Sequence, residues 1–383
     1  MGSYLLSHLH ALGGGVVGYL IPFIFVLSVV VFFHEFGHFI VARLCGVRVL
    51  VFSIGFGPEL FGFNDRHGTR WKVSAIPLGG YVKFFGDENA ASVPETQQLE
   101  SMNASERAES FFFQPVRKRA AIVFAGPAAN FILAVVIFAG IFAIYGKQSM
   151  SARVDQVQAD SAAAAAGFQP GDVVLAINGK PVDDFADMQR VVSESAGDKL
   201  DIKVDRKGTP LVLTATPALK EVKDNFGNAH RIGILGITRS MDADDMKFQP
   251  VSPPQAVVMG VQETWFIVDR TLSYIGGVIV GRESADQLGG PARIAQISGQ
   301  VAKIGFIALI HLVGVLSVSI GLLNLFPIPL LDGGHLLFYA IEMLRGRPLS
   351  ERAQEVGFRI GLAIVVMLMI FATFNDIVHL TTS

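Results

Sequence analysis

Long uncharged apolar runs alternate with polar stretches along this chain of 383 residues. A helix needs about 20 apolar residues to cross a bilayer of about 30 Å. Four runs approach or exceed that length, and we predict membrane spans at roughly 16–44, 120–145, 304–331 and 357–374. A fifth candidate, 255–280, carries acidic and basic side chains, which favours a helix lying at the membrane interface. The pattern therefore predicts a polytopic α-helical membrane protein with four transmembrane helices.

The composition supports this prediction and excludes several other classes. Hydrophobic residues make up 51% of the chain and charged residues only 17%, against about 25% in an average soluble protein. The formal net charge of −2 gives no electrostatic reason to expect a nucleic-acid partner. A single cysteine excludes an internal disulfide and a zinc site built from cysteines. The N-terminus lacks the basic start and the cleavage site of a signal peptide, so we expect it to remain uncleaved.

Two regions between the first two spans follow a β-strand pattern. Residues 49–63 and 71–85 are rich in β-branched and aromatic residues, and 64–68 between them has turn chemistry. This predicts a β-hairpin, which is too apolar to stand freely in water and is expected to associate with the membrane from the cytoplasmic side. Residues 87–110 are polar and are predicted to form a mobile linker.

Residues 150–220 change character again, to short alternating apolar stretches that predict β-strands, with a short helix at 184–194. The stretch 167–182 reads as two glycine turns around a strand and carries G-F-x-P-G-D-x-x-x-x-I-N-G. This pattern resembles the bacterial PDZ domain, and the resemblance implies one inserted α+β domain that binds a peptide or a C-terminus by β-augmentation. The alternative is a small β-rich domain with ordinary glycine turns.

Basic residues are concentrated in two of the loops between the predicted spans. Residues 117–119 are Arg-Lys-Arg just before the second span, and Arg345, Arg347 and Arg352 lie between the third and fourth. Because loops rich in lysine and arginine stay in the cytoplasm, we expect both loops there and the 146–250 insert on the opposite side.

The motif H-E-x-x-H closes the first apolar run, as His34, Glu35 and His38. Four residues apart on a helix, the two histidines share one face and can hold one Zn²⁺ ion, with the glutamate beside it as general base. Ionisable side chains at the end of an apolar helix are costly unless they have a function. The alternative is a pair of buried histidines with satisfied hydrogen bonds, which leaves the glutamate unexplained.

A catalytic zinc site usually has about three protein ligands, so one more ligand is required. Asp332 is a candidate because it follows the third apolar run. Pro327 and Pro329 would break a helix there, and the glycines at 333–334 would let the backbone pass close to a neighbour. The alternative, an ordinary Asp-Gly-Gly turn at a helix end, explains neither the prolines nor Asn324.

Three separated motifs together resemble the site-2 protease family (M50) of intramembrane zinc metalloproteases, in its bacterial RseP-like branch. They are H-E-F-G-H at 34–38, G-x-x-x-N at 126–130 and N-x-x-P-x-P-x-L-D-G-G at 324–334. The Gly-Gly-Pro at 289–291 is also similar to the family, and the resemblance covers essentially the whole chain. Longer relatives have two tandem PDZ domains, whereas this chain has a single recognisable one.

The resemblance implies a role for each motif residue. His34, His38 and Asp332 would be the ligands of a Zn²⁺ cofactor, and Glu35 would be the catalytic acid and base.

Outside this catalytic group, Asn130 and Asn324 would help to hold the substrate backbone; the alternative for Asn130 is a helix-packing amide. His335 lies three residues beyond the predicted aspartate ligand. It is interpreted as an interfacial or supporting residue, not as a ligand.

The implied activity is that of a zinc metalloendopeptidase that hydrolyses peptide bonds within or near transmembrane segments of membrane proteins. Members of the family cut anti-sigma factors and signal-peptide remnants, which are therefore candidate substrates in the lipid bilayer. The implied location is the bacterial inner membrane. The PDZ domain is expected on the periplasmic side, and the active site towards the cytoplasmic side.

These elements divide the chain into consecutive predicted regions. In chain order they are the first transmembrane helix with H-E-x-x-H (1–48), the β-hairpin and polar linker (49–118), the second transmembrane helix (119–146), the PDZ domain and exit strands (147–250), interfacial amphipathic helices (251–300), the third transmembrane helix with the Asp-Gly-Gly motif (301–335), and a cytoplasmic loop with the fourth transmembrane helix (336–383).

Two other functions are compatible with parts of the sequence. A PDZ-bearing membrane scaffold could keep a metal site that is not catalytic. A metal transporter would also use histidine and aspartate within the membrane. The transporter leaves both Glu35 and the PDZ-like insert unexplained, and the complete set of predicted ligands disfavours the scaffold.

Overall fold

The computed structural model describes residues 2–87, 101–149, 151–223, 229–239, 247–285 and 289–382. The chain divides into two compact units. The first is made of Met1–Ile141, Ala256–Ile279 and Leu288–Thr382, and the second mainly of Phe142–Gln255 and Val280–Gln287. The first unit contains every predicted zinc ligand.

The elements alternate between long apolar helices and short strands. In chain order they are α1 (Gly2–Leu44), β1 (Val49–Asn64), β2 (Arg70–Phe84), α2 (Ala104–Glu109), a 3₁₀ turn (Phe111–Phe113), α3 (Val116–Tyr145), β3 (Lys147–Ser149), β4 (Gln156–Val157), α4 (Ala162–Ala165), β5 (Val173–Ile177), β6 (Lys180–Pro181), α5 (Phe185–Glu194), β7 (Leu200–Arg206), β8 (Thr209–Ala215), β9 (Ala218–Lys223), β10 (Ala229–Ile234), β11 (Ile237–Thr238), β12 (Lys247–Gln249), α6 (Pro253–Ile279), α7 (Pro291–Ile304), α8 (Phe306–Asn324), α9 (Asp332–Arg345) and α10 (Glu351–Thr382).

Among the described residues, four helices are long and apolar enough to cross a membrane, as predicted from the apolar runs. They are Val17–Leu44, Val116–Tyr145, Phe306–Asn324 and Arg352–Val378. Helix α6, which was predicted to be interfacial, is not among them.

Two of the predicted span boundaries are wrong. Helix α8 ends at Asn324 and not near residue 331, because the chain leaves the helix before Pro327 and Pro329. Helix α10 extends beyond the predicted 357–374 at both ends, since the polar residues that flank this apolar run continue the helix.

The predicted β-hairpin is present, and it is curled. Strands β1 and β2 pair antiparallel around a turn in which the Asp65 carboxylate accepts two backbone hydrogen bonds, at 2.9 and 3.0 Å. Val51 lies opposite both Lys83 and Arg70, so the first part of β1 pairs with both ends of β2. Gly55 permits the bend with its positive φ of 86°, and a side chain there would press on the backbone of β2.

The predicted mobile linker at 87–110 lies partly outside the described residues, which omit 88–100. Its last part is ordered as α2. Asn103 and Glu106 form a capping box that satisfies the first backbone N–H groups of this helix. The linker prediction is therefore wrong for residues 104–109.

Two apolar clusters hold the first unit together. One joins α1, the hairpin and α3, with Phe52 and Ile122 fully buried in it. The other joins α1, α3 and α8 through Val30, Leu133 and Val313. The clusters keep α1 and α3 side by side, which is the arrangement that the candidate site depends on.

A buried carboxylate joins two distant helix ends. Asp376, near the end of α10, accepts hydrogen bonds from the backbone N–H groups of Gly290 at 2.8 Å, Ala292 at 3.1 Å and Arg293 at 3.3 Å. The Gly-Gly-Pro at 289–291 is thus the start of α7, with a glycine as N-cap and a proline at the first helical position. A carboxylate at a helix N-terminus is favourable because it satisfies free N–H groups.

The second unit is a small α+β structure around an antiparallel sheet of order β6-β5-β7-β8. Val154, Ile202 and Val204 are completely buried in its core. Asp184 caps α5, so the helix predicted at 184–194 is confirmed, as are the strands predicted around it. That this unit is a PDZ domain stays a prediction.

Candidate metal centre

Helix α1 presents the two histidines of the H-E-x-x-H motif on one face. The rings of His34 and His38 meet edge to face with centroids 4.9 Å apart, and their Nε2 atoms are 3.3 Å apart. The helix continues to Leu44 without a break. The motif therefore delivers two imidazole nitrogens to one point, as its spacing predicts.

Asp332 reaches the same point from the start of α9. Between α8 and α9 the chain makes a compact turn, in which Leu330 has a positive φ of 97°. Gly333 and Gly334 pack directly on this turn, and a side chain at either position would overlap its carbonyl groups. The glycine pair is needed so that α9 can begin this close to the preceding turn.

The three donor atoms have the spacing that a zinc ion requires. Oδ2 of Asp332 lies 3.2 Å from Nε2 of His34 and 3.5 Å from Nε2 of His38. Ligands about 2.0–2.1 Å from a tetrahedral zinc ion lie about 3.3–3.4 Å from one another. Oδ2 of Asp332 is buried, and the two histidine nitrogens are the groups that face it without an established hydrogen bond. These three residues could therefore hold a metal ion, and their donors suit zinc.

Helix α3 orients one of the two imidazoles. Nδ1 of His38 donates a hydrogen bond to the carbonyl oxygen of Ile122 at 2.9 Å, which leaves Nε2 free to bind a metal. Gly126, one turn further along, gives the ring its room, because a Cβ there would overlap Nε2 of His38. The glycine of the G-x-x-x-N motif is thus required by the packing of the site.

Glu35 lies beside the ligand group and close to the curled hairpin. A Cβ on Gly80 would come within 3.0 Å of Cγ of Glu35, so the glutamate side chain lies directly against the backbone of β2. Within the described part of the chain, residues 80–84 pair with β1 alone and so form an edge of the sheet. A proton acceptor therefore lies next to both the ligand group and a strand edge.

The two asparagines that were predicted to bind substrate have different surroundings. Asn130 is fully buried, and its side chain meets Nδ1 of His34 at 3.3 Å. Asn324 ends α8, is half-buried, and makes no side-chain hydrogen bond to another described residue. Asn324 therefore has an amide to offer a ligand, whereas the burial of Asn130 does not favour the predicted contact with substrate.

His335 is not part of the ligand group, in agreement with its interpretation from the sequence. Its ring lies 5.4 Å from that of Phe358 and 6.5 Å from that of Tyr339. Burial raises the pKa of Tyr339 to about 12, so this neighbour stays neutral. The surroundings of His335 are those of a packed aromatic residue.

A partly buried ion pair, which sequence reasoning missed, anchors α9. Arg119 on α3 lies 2.5 Å from the carboxylate of Glu342, and its guanidinium lies 4.9 Å from the ring centre of Tyr339. Because Asp332 opens the helix that carries Glu342, this pair ties the third candidate ligand to α3. The partners are 223 residues apart, so no local pattern could have revealed them.

Comparison with known proteins agrees with this geometry. The model of Peptidase family M50 matches residues 22–368. A protein of Agrobacterium fabrum named "Putative zinc metalloprotease" is 53% identical over 364 residues, which cover 95% of this chain and 97% of that protein. A Rhizobium meliloti protein with the same descriptive name is 51% identical over 360 residues, covering 94% and 96%. Metalloprotease MmpA of Caulobacter vibrioides is 42% identical over 380 residues, covering 94% and 95%.

A helix with H-E-x-x-H beside an aspartate, together with the four long apolar helices among the described residues, defines a zinc metalloprotease of the membrane. The family match extends over most of the chain. The protein belongs to peptidase family M50, the site-2 protease family.

Proposed function

We propose that this protease cuts its substrates within or near their transmembrane segments. The observation that carries the proposal is the location of the ligand group, whose two histidines lie on α1 inside the apolar segment Val17–Leu44. A peptide bond that reaches them must enter the hydrophobic layer or its edge. The substrates are then membrane proteins, with anti-sigma factors and signal-peptide remnants as candidate classes.

In this proposal His34, His38 and Asp332 hold the zinc ion, and Glu35 acts as general base and general acid. When bound, zinc supplies Lewis acidity, which polarises a carbonyl group and lowers the pKa of water to about 7. Glu35 takes the proton of the attacking water and later delivers it to the leaving amine nitrogen. The apolar surroundings strengthen these interactions because they exclude bulk water.

The edge of the curled hairpin is the proposed docking place for the substrate backbone. A transmembrane helix hides its peptide bonds in its own hydrogen bonds, so it must unwind before hydrolysis. The backbone at 80–84 can replace the lost bonds by strand addition, directly beside Glu35. Asn324, whose side-chain amide makes no hydrogen bond to another described residue, can add a hydrogen bond to the substrate backbone. We expect helix-breaking residues in a substrate span to favour cleavage for this reason.

The proposed orientation rests on the basic residues of the loops. It puts the ligand group towards the cytoplasmic side of a bacterial inner membrane and the 146–250 insert on the periplasmic side. There, a PDZ domain would select substrates by binding a peptide or a C-terminus.

The direct test replaces Glu35 with glutamine in the purified protein and measures zinc content and cleavage of a model transmembrane peptide. We expect the zinc-to-protein ratio to match the wild type and cleavage to fall by about 10²–10⁴-fold, the usual contribution of a general acid and base. Glu109→Gln, at a half-exposed glutamate that pairs with Arg48, is the matched control and should leave both unchanged. Wild-type cleavage by Glu35→Gln would favour the membrane scaffold instead.

A further inference from the structure

Helix α3 contacts both candidate histidine ligands along one face. Ile122, Gly126 and Asn130 follow one another at intervals of four residues, which match the interval between His34 and His38. The carbonyl oxygen of Ile122 accepts the Nδ1 proton of His38 at 2.9 Å, and the Asn130 side chain lies 3.3 Å from Nδ1 of His34. One helix therefore meets the outer nitrogen of each imidazole.

Asn130 is enclosed by protein on all sides. It is 0% exposed, and its backbone carbonyl accepts a hydrogen bond from the Ser317 hydroxyl of α8 at 2.8 Å. A Cβ on Gly321, also on α8, would come within 3.1 Å of the Asn130 Cβ. The side chain fills a slot between α1, α3 and α8, and within the described chain its side-chain hydrogen-bond partner is His34.

The tautomer of the His34 imidazole decides whether the oxygen or the nitrogen of the Asn130 side-chain amide faces Nδ1. An imidazole that offers Nε2 to a metal carries its proton on Nδ1, which is then a donor. The amide nitrogen of Asn130 is also a donor, so these two atoms cannot bond each other in that tautomer. The amide oxygen meanwhile has no partner in its buried position. A flip of the Asn130 side-chain amide exchanges its oxygen and its nitrogen with little change in shape. The oxygen then faces the Nδ1–H group of His34.

We propose that Asn130 is a positioning residue for the metal, with its side-chain carbonyl accepting the Nδ1–H of His34. This carbonyl accepts the Nδ1 proton of His34, as the backbone carbonyl of Ile122 accepts the Nδ1 proton of His38. Both hydrogen bonds hold the imidazoles in the tautomer that presents Nε2, so α3 orients the two ligands of α1. The inference rests on the ligand set of the proposed function, and it gives Asn130 a task other than binding substrate.

The test measures zinc affinity and not activity. Full-length protein is purified in detergent, with Glu35→Gln in every sample to prevent self-cleavage, and zinc is titrated against a competing chelator. Asn130→Leu keeps much of the shape but removes the acceptor, and we expect zinc binding to weaken by about 10–100-fold. Asn130→Asp keeps an acceptor oxygen and loses the amide donor, so it should bind zinc at least as tightly as the parent protein.

Two results would overturn the proposal. One is an unchanged zinc affinity in Asn130→Leu; the other is an equal loss in Asn130→Asp, which would make the amide N–H the required group. If Asn130→Leu does not fold, as judged by thermal unfolding without metal, Asn130→Ala replaces it with the same expected loss.

Two further variants separate this inference from the assignment of the ligands. Asn324→Leu alters the other motif asparagine and is expected to keep the parent zinc affinity, since within the described chain the Asn324 side chain makes no hydrogen bond to a candidate ligand. Asp332→Ala should lose zinc in every background. If Asp332→Ala kept the parent affinity, the ligand set would be wrong whatever the Asn130 variants do.

Discussion

The second unit gathers its apolar side chains into a buried core, whereas the first unit also leaves many large apolar side chains on the outer surface of its long helices. Ile202 and Val204 in the second unit are 0% exposed, while Leu44 and Ile370 in the first are 79% and 66% exposed. Water explains the surface of the second unit, and lipid explains that of the first. The position of a residue must therefore be interpreted with the solvent of its own unit in mind.

The buried polar groups of the first unit differ in whether they have a hydrogen-bond partner, and this difference bears on function. Several of its buried polar groups are bonded to other parts of the protein, as when Asp376 caps α7 or Ser317 bonds the Asn130 carbonyl. Two of its buried side-chain oxygens without a partner, Oδ2 of Asp332 and Oδ1 of Asn130, lie at the ligand group. A buried polar atom without a hydrogen bond is costly, and two such oxygens beside two imidazoles favour a bound ligand at this place, whereas a single one such as Oγ of Ser110 does not.

The largest effect is expected from Asp332→Ala, which removes a candidate zinc ligand of the first unit. We expect zinc affinity to fall by more than about 100-fold, because the metal loses one of its three protein donors. Cleavage of a transmembrane peptide should be lost with the metal. Asp198→Ala, at an exposed aspartate of the second unit, is the control, and zinc content is measured on both purified proteins. A wild-type zinc content in Asp332→Ala would contradict the account.

A smaller loss is expected from Gly126→Ala, because the added methyl group would overlap Nε2 of His38. We expect zinc affinity to fall by about 10-fold or more, the usual cost of disturbing a ligand's orientation. Alanine is a better helix former than glycine by about 1 kcal/mol, so weaker helix formation cannot cause the loss.

Gly140→Ala provides the matched control, since a Cβ at Gly140 on the same helix meets no atom within 4 Å. Chelator competition on both variants gives the comparison. Equal zinc affinities of Gly126→Ala and Gly140→Ala would show that His38 does not need this space.

The smallest effect should be confined to the second unit. The Asp172 carboxylate accepts two hydrogen bonds of 2.7 Å from Arg206 and one of 2.9 Å from the backbone of Gln169. Burial opposes its ionisation, but these bonds prevail and hold the pKa of Asp172 below its ordinary value. Asp172→Asn should lower the thermal midpoint of this unit by about 5–10 °C at neutral pH and leave zinc content unchanged.

The same variant predicts a pH dependence. Because the pKa of Asp172 is depressed in the folded state, its contribution is fully present above the ordinary aspartate pKa of about 4. It is lost as the pH falls through the folded-state pKa, so the midpoints of wild type and Asp172→Asn should converge under acid conditions. Scanning calorimetry from about pH 7 to about pH 3 checks this. A constant difference over that range would show that the carboxylate's charge is not what stabilises the unit.

The sequence could predict the features that one local stretch determines. The apolar runs predicted four long helices, β-branched and aromatic stretches around a turn predicted the hairpin, and alternation predicted the strands of the second unit. The four-residue spacing predicted that His34 and His38 would meet, while Asp332 needed the neighbouring prolines and the family resemblance. Helix ends were less predictable, since apolar residues continue past Asn324 although the helix does not.

What the sequence could not predict are contacts between distant segments. The carbonyl of Ile122 and the ring of His38 are 84 residues apart, and Asp376 and Gly290 are 86 residues apart. Such pairs depend on which helix faces pack together. The periodicity of either segment does not indicate which partner its face will pack against. The role inferred for Asn130 belongs to the same class, because its partner His34 is 96 residues away.

The account depends most on a zinc ion held by two imidazoles and one carboxylate inside the apolar unit. X-ray absorption at the zinc edge of the purified wild-type protein tests this directly. We predict a shell of nitrogen and oxygen atoms at about 2.0–2.1 Å that includes two imidazoles. A sulfur atom at about 2.3 Å, which within one chain would have to come from Cys45 or a methionine, or a shell with fewer than two imidazoles, would contradict it.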